Sequence, residues 1–189
     1  MNPQPTYEYD VLSRVFHWVT AIAVTIAFVL GPDDFGRIMR EGVDAATRRD
    51  IVWHESLGIL VFVITVLRLI WVTFRRTALQ VQMPRWMQAT GKLVHVMLWT
   101  LLLALPTTAL MSLGSESHPL TLLGGVRIDQ LSVIANSSIA KLADWGDVHQ
   151  FLGNAIMWIA GFHAAAAIYH HVIRKDGVLS AMLPYKWFR

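Results

Sequence analysis

Five of the eight histidines in this chain, His17, His54, His95, His149 and His163, stand inside or at the edge of long apolar stretches. An ionisable ring in hydrocarbon is costly and marks function, and imidazole is the commonest metal ligand among side chains. His149 and His163 are fourteen residues apart. That is close to four helical turns, so both rings point the same way, about 21 Å apart along the axis at ~1.5 Å per residue. Such spacing suits two metal centres stacked across a membrane. The chain has no cysteine, which excludes disulfides, iron–sulfur clusters, thiolate ligation and the C-x-x-C-H attachment of c-type haem. Any haem here is held non-covalently.

The elements that must position these rings are legible in the composition. Of 189 residues, 54% are hydrophobic and 15% charged, and the mean hydropathy is +0.45. Uncharged runs cover 15–31, 56–67 with 69–74, 93–115 and 148–173, and about 20 apolar residues cross the hydrocarbon core. The sequence predicts an all-α fold, an integral membrane four-helix bundle, as one membrane domain over residues 1–189. Its spans are expected at 12–30, 50–74, 89–113 and 147–173. The first run is not read as a cleaved signal peptide: only Arg14 precedes it as a basic residue, and Gly31-Pro32-Asp33-Asp34 is not a small-residue cleavage site.

Four crossings put both termini on one side. That side holds the basic residues Arg14, Arg75, Arg76, Arg85, Lys92, Arg174, Lys175, Lys186 and Arg189, nine against the six of the other side, Arg37, Arg40, Arg48, Arg49, Arg127 and Lys141. The excess predicts cytoplasmic termini. The net charge of +3 is divided between the two faces and does not indicate nucleic acid binding. Pro106 inside the third span is read as a shape feature. The segment 115–146 carries turn signals at Gly124-Gly125 and Asn136-Ser137-Ser138, and Leu131, Ile134, Ile139 and Leu142 suggest an interfacial helix.

This topology sorts the histidines by depth. His54 and His149 share the outer level; His17 and His163 share the inner one. Two facing imidazoles are the axial ligands of a low-spin haem iron with no open position, suited to electron transfer rather than oxygen binding. A single intramembrane histidine can equally be a packing residue or a proton relay; the shared depth and phase favour ligation for these four. His95 competes with His17 for the inner level, and His170 competes with His163 from about 10 Å nearer the surface. His118 reads as a loop residue, and His171 as an interfacial one. Gly58 and Gly153, each one turn after a histidine, and Gly161 with the alanines 164–167 leave room for a flat macrocycle or for close helix packing. Two readings stand for Arg68: it snorkels to the interface, or it pairs with a haem propionate.

His17-Trp18, Trp53-His54-Glu55 with Gly58, Leu67-Arg68-Leu69, Gly91-Lys92-Leu93-Val94-His95 with Ala104-Leu105-Pro106, Val148-His149, and Gly161-Phe162-His163-Ala164-Ala165 with His170-His171 occur in order. From residue 9 to about 184 the chain resembles the bacterial four-helix cytochrome b561 family. The resemblance implies two non-covalent haem b groups in the bacterial inner membrane, with His17 and His163 on the cytoplasmic-side iron and His54 and His149 on the periplasmic-side iron. It also implies oxidation of superoxide at the periplasmic face and reduction of ubiquinone, with His95, His170 and His171 as possible quinone contacts. Lys92 stands where the family pattern has a histidine, so that residue's role does not carry over. The cluster Arg37, Arg40, Arg48 and Arg49 could attract a small anion, although five acids in 33–50 oppose it. Two other readings remain: an electron conduit for a periplasmic redox protein docked on 115–146, and a non-redox proton or metal transporter.

Overall fold

The computed structural model describes residues 9–32, 38, 41–74, 83–115, 118–129, 134 and 136–183. Four helices form on the four apolar stretches: α1 (Val11–Leu30), α2 (Arg49–Phe74), α3 (Arg85–Ser115) and α4 (Trp145–Tyr169). Each is long and apolar enough to cross a membrane, and they form the expected all-α four-helix bundle. The helices begin one to four residues before the expected spans; α3 also ends two residues later, α4 passes into a π turn after Tyr169, and polar residues cap the starts of α1 and α4. The Asp10 carboxylate accepts the Ser13 N–H at 2.8 Å, and the Asp144 carboxylate accepts the Asp147 N–H at 3.1 Å. These caps supply acceptors for N–H groups that have no partner inside their helix.

The outward faces are those of a bundle dissolved in lipid. Phe151, Trp158 and Phe162 on α4 are 70%, 72% and 69% exposed, whereas Ile156 on its other side is 3% exposed. Ile156 lies seven residues from both His149 and His163, so the three share the face turned to the bundle. The helices associate chiefly as two antiparallel pairs, α1 with α2 and α3 with α4. Ser13, Thr20 and Ala23 are the buried residues of α1, small side chains of the type that let membrane helices approach closely. Ala23, Val61, Leu101, Leu102 and Ile156 form a buried apolar cluster drawn from all four helices. In sequence each lies about midway along its span, so the cluster is a layer between the two histidine levels.

The two ends of the bundle are closed differently. At the terminal end, residues 177–183 fold back onto α1: the Trp18 indole N–H donates to Met182 O at 2.9 Å, and Arg14 donates to Leu183 O at 3.0 Å. At the other end the chain forms a hairpin, β1 (Leu120–Leu122) antiparallel to β2 (Val126–Ile128). Its connection uses Gly124 and Gly125 with φ of 82° and 77°, a region glycine enters without steric cost. The turn signal at these glycines therefore marks a hairpin rather than a bare loop. Of the interfacial helix expected from Leu131, Ile134, Ile139 and Leu142, Ile134 is helical, whereas residues 136–143 make turns and bends. Ser137 donates to Ile134 O and accepts from Ala140 N–H, a local side-chain bond that competes with helix. Leu131 lies outside the described residues.

α4 ends in a π turn, His170–Arg174, tied to the segment after it. Asp176 accepts from His170 Nδ1 at 2.6 Å and from Arg174 Nε at 3.0 Å. Partial burial pushes the Asp176 carboxyl up, but these bonds outweigh it and hold the group below its ordinary value. A carboxyl lowered by folding contributes stability that is present above its unfolded value and lost as pH falls through the folded one. Asp176→Asn is therefore expected to destabilise the detergent-solubilised protein by about 2 kcal/mol at neutral pH, the scale of hydrogen bonds to a charged group. Unfolding curves across pH should show the variant and the parent converging below about pH 4.

Candidate metal centres

His54 sits in the second turn of α2 and His149 in the second turn of α4, so both lie at the hairpin end. Their ring centroids are 6.0 Å apart with planes at 85°. His17 in the second turn of α1 and His163 near the end of α4 meet at the terminal end, with centroids 6.3 Å apart and planes at 68°. An imidazole nitrogen lies about 2 Å from a metal it ligates and about 1 Å from its own ring centre, so two rings on opposite sides of one ion have centres about 6 Å apart. Both separations fit a metal held between the rings, so the fold brings together His54 with His149 and His17 with His163, the latter alongside His95.

The hairpin-end rings are held by the backbone of neighbouring helices. His54 Nδ1 is 2.8 Å from Ala27 O on α1, and His149 Nδ1 is 2.9 Å from Leu105 O on α3. A carbonyl only accepts, so in each ring Nδ1 carries the proton and Nε2 is left as the free ligand nitrogen. Sequence reading missed these partners. Pro106 is more than a shape feature, because the carbonyl that takes the His149 proton belongs to the Leu105–Pro106 peptide. Gly31 is also explained. Its φ of −63° and ψ of 123° suit any residue, but a Cβ there would lie 3.1 Å from His54 Cε1 and Nδ1. A side chain there would press on the His54 ring, which would have to give by a few tenths of an ångström.

The hairpin is fastened to the same turn of α2. Glu55, 9% exposed, accepts the Thr121 N–H at 2.5 Å, and Ser56 Oγ accepts the Leu123 N–H at 2.9 Å. The two residues that follow His54 thus fasten the hairpin to this end of the bundle. A Cβ added at Gly58 or Gly153 would meet nothing within 4 Å, so space is open one turn after His54 and His149, whereas Gly161 lies exposed on the outward face of α4 beside Phe162.

The terminal end is more crowded. His95 on α3 lies 5.2 Å from His163, nearer than His17 does, so the competition read from the sequence persists in the fold. Arg68 does not stand apart as a snorkelling cation: its guanidinium carbon is 4.8 Å from the centre of the Trp99 ring, within cation–π range. His170 is engaged with Asp176, and His171 lies on the same π turn. His118 lies in the connection after α3, with its main-chain N–H on Leu113 O. Of the basic loop cluster, Arg37 and Arg40 fall outside the described residues, and Arg48 is bonded to Asp50 at 2.6 Å. Arg127 reaches Asp44 at 3.4 Å. Acidic neighbours thus offset part of that positive charge.

The sequence profile of a family described as prokaryotic cytochrome b561 matches residues 8–185. The chain is 29% identical over 172 residues to cytochrome b561 homolog 1 of Escherichia coli strain K12, covering 89% of this chain and 92% of that protein. It is 26% identical over 185 residues to cytochrome b561 homolog 2 of the same strain, covering 93% and 90%. Gly31→Ala is expected to displace the His54 ring from Ala27 O and to destabilise the bundle by about 1–3 kcal/mol. Paired measurements of thermal unfolding and of bound haem per chain check it; both should fall together.

Proposed function

The chain belongs to the prokaryotic cytochrome b561 family, a family of transmembrane b-type haem electron carriers, and from that premise we propose that it is a superoxide:ubiquinone oxidoreductase built as one membrane domain. In this reading His54 and His149 hold a haem b at the periplasmic face, and His17 and His163 hold a second at the cytoplasmic face, where both termini lie. The observation that carries it is the meeting of two histidine pairs, 6.0 and 6.3 Å between centroids, at opposite ends of the bundle. Haem b supplies one-electron exchange when bound between two histidines. The net reaction oxidises two superoxide anions to dioxygen and reduces one ubiquinone, with two protons, to ubiquinol.

The chain's own residues do the rest. Ala27 and Leu105 carbonyls hold the protons of His54 and His149 on Nδ1, keeping Nε2 available for iron. Arg68, over Trp99, supplies the cation for a propionate of the terminal-end haem. His95, beside His163, and His171, on the π turn, are proposed as quinone contacts. Glu55 and Ser56 hold the hairpin to the turn of α2 that carries His54.

A second reading has one observation in its favour. Every residue of β2 is exposed, which offers a periplasmic redox protein a place to dock. Membership of an electron-carrying family sets aside the non-redox transporter. Stopped-flow mixing of the purified oxidised protein with superoxide separates the remaining two: rapid reduction is expected, and haem that stays oxidised would sink the superoxide reading in favour of the docked donor. A reduced-minus-oxidised spectrum with haem quantified per chain should give two haems. His149→Ala and His163→Ala should each lose one of the two and keep the other; full loading of either variant contradicts the ligand assignment.

A further inference from the structure

The orientation of His149 has more support than that of His54. His149 Nδ1 lies 2.9 Å from Leu105 O and 3.3 Å from Thr108 Oγ1, and both acceptors are on α3, a helix assigned no ligand of its own. Leu105 O is the oxygen of an amide whose nitrogen is Pro106, a tertiary amide and a more electron-rich acceptor than an ordinary peptide. Proline also removes the N–H that would bond the carbonyl four residues earlier and presses its ring against it. The Thr108 hydroxyl has one proton and lies 2.9 Å from both Ala104 O and Leu105 O. It donates to one of these, which leaves its lone pairs to share the His149 Nδ1–H.

Local back-bonding by itself is ordinary for threonine in these helices. Thr20, Thr25, Thr90, Thr100 and Thr107 each donate to the carbonyl four residues earlier. Thr108 differs from these five in that its oxygen also reaches an imidazole on another helix. Thr108 is 6% exposed, so no solvent competes for that contact.

We infer that Thr108 is a positioning residue for the hairpin-end iron: with the Leu105 carbonyl it fixes the tautomer and the ring plane of His149. The inference rests on the proposed bis-histidine reading of that pair. A hydrogen bond to the far nitrogen raises the basicity of a ligating imidazole, and second-shell hydrogen bonding tunes the potential of the iron. The His54 and His149 planes are nearly perpendicular, at 85°, an arrangement that gives low-spin ferric haem a strongly anisotropic resonance. Rotation of one ring changes that signal.

The experiment is low-temperature electron paramagnetic resonance of the oxidised full-length protein together with a redox titration, on the parent, Thr108→Val, Thr108→Ala and Thr108→Ser. Valine is nearly isosteric and removes only the hydroxyl. Valine and alanine variants are expected to keep both haems, move the hairpin-end resonance and raise its midpoint potential, leaving the terminal-end component unchanged; serine should restore the parental values. Parental resonance and midpoint in both the valine and the alanine variants would overturn the role of Thr108. A parent protein with only one low-spin component would instead overturn the bis-histidine reading, so the two failures are distinguishable.

Discussion

Inside hydrocarbon every N–H must find its acceptor within the protein, and the rest of the structure depends on how two imidazoles meet that constraint. His54 and His149 give their Nδ1 protons to carbonyls of Ala27 and Leu105. Each acceptor lies on the helix that forms an antiparallel pair with the histidine's own helix. The contact that satisfies the ring therefore also links the two helices of a pair. Once Nδ1 is engaged, only Nε2 remains for a metal, and the two Nε2 atoms belong to rings 6.0 Å apart at their centres. Close helix approach makes this possible, and the glycine at position 31 and the small buried residues of α1 permit that approach.

The two ends of the bundle are built on different principles. The hairpin end is rigidly supported: backbone carbonyls fix the rings, and a buried carboxylate on the residue after His54 anchors the two-stranded hairpin. The terminal end gathers three rings, His17, His95 and His163, beside a guanidinium on an aromatic face. A clasp of π turn and Asp176 finishes α4. One end is thus fixed by main-chain acceptors, and the other gathers polar and ionisable side chains.

Much of this was legible in the sequence, because membrane spans and helical phase are local properties. The charge-free runs predicted four helices, and the fourteen-residue interval between His149 and His163, with the depth argument, predicted histidine groups at two levels, with His95 competing at the inner one. What was hidden depends on pairing between distant residues. Pro106 gave a local signal of a bend, but its carbonyl neighbour matters only because α4 lies against it. Gly31 read as the end of a span, whereas its reason is the ring of His54 on another helix. The hairpin was reduced to a turn at Gly124-Gly125 because three-residue strands carry too little alternation to register, and Glu55, which holds it, showed no sequence signal beyond its place beside His54. The closeness of His95 to His163 depends on the rotation of α3, which its nearly uniform hydropathy does not fix.

The layer formed by Ala23, Val61, Leu101, Leu102 and Ile156 has a further consequence. It is a slab of low dielectric with a charge-accepting level on either side, and so behaves as the insulating gap of a small capacitor. An electron that passes between the proposed levels moves through most of the transmembrane field, and a full crossing is worth about 2.3 kcal/mol per 100 mV. In the proposed orientation, with the termini cytoplasmic, negative charge would move inward, against a potential that is negative inside. The bundle would therefore sense membrane voltage without a voltage-sensing helix, and the energised state of the cell would act as a brake on its turnover.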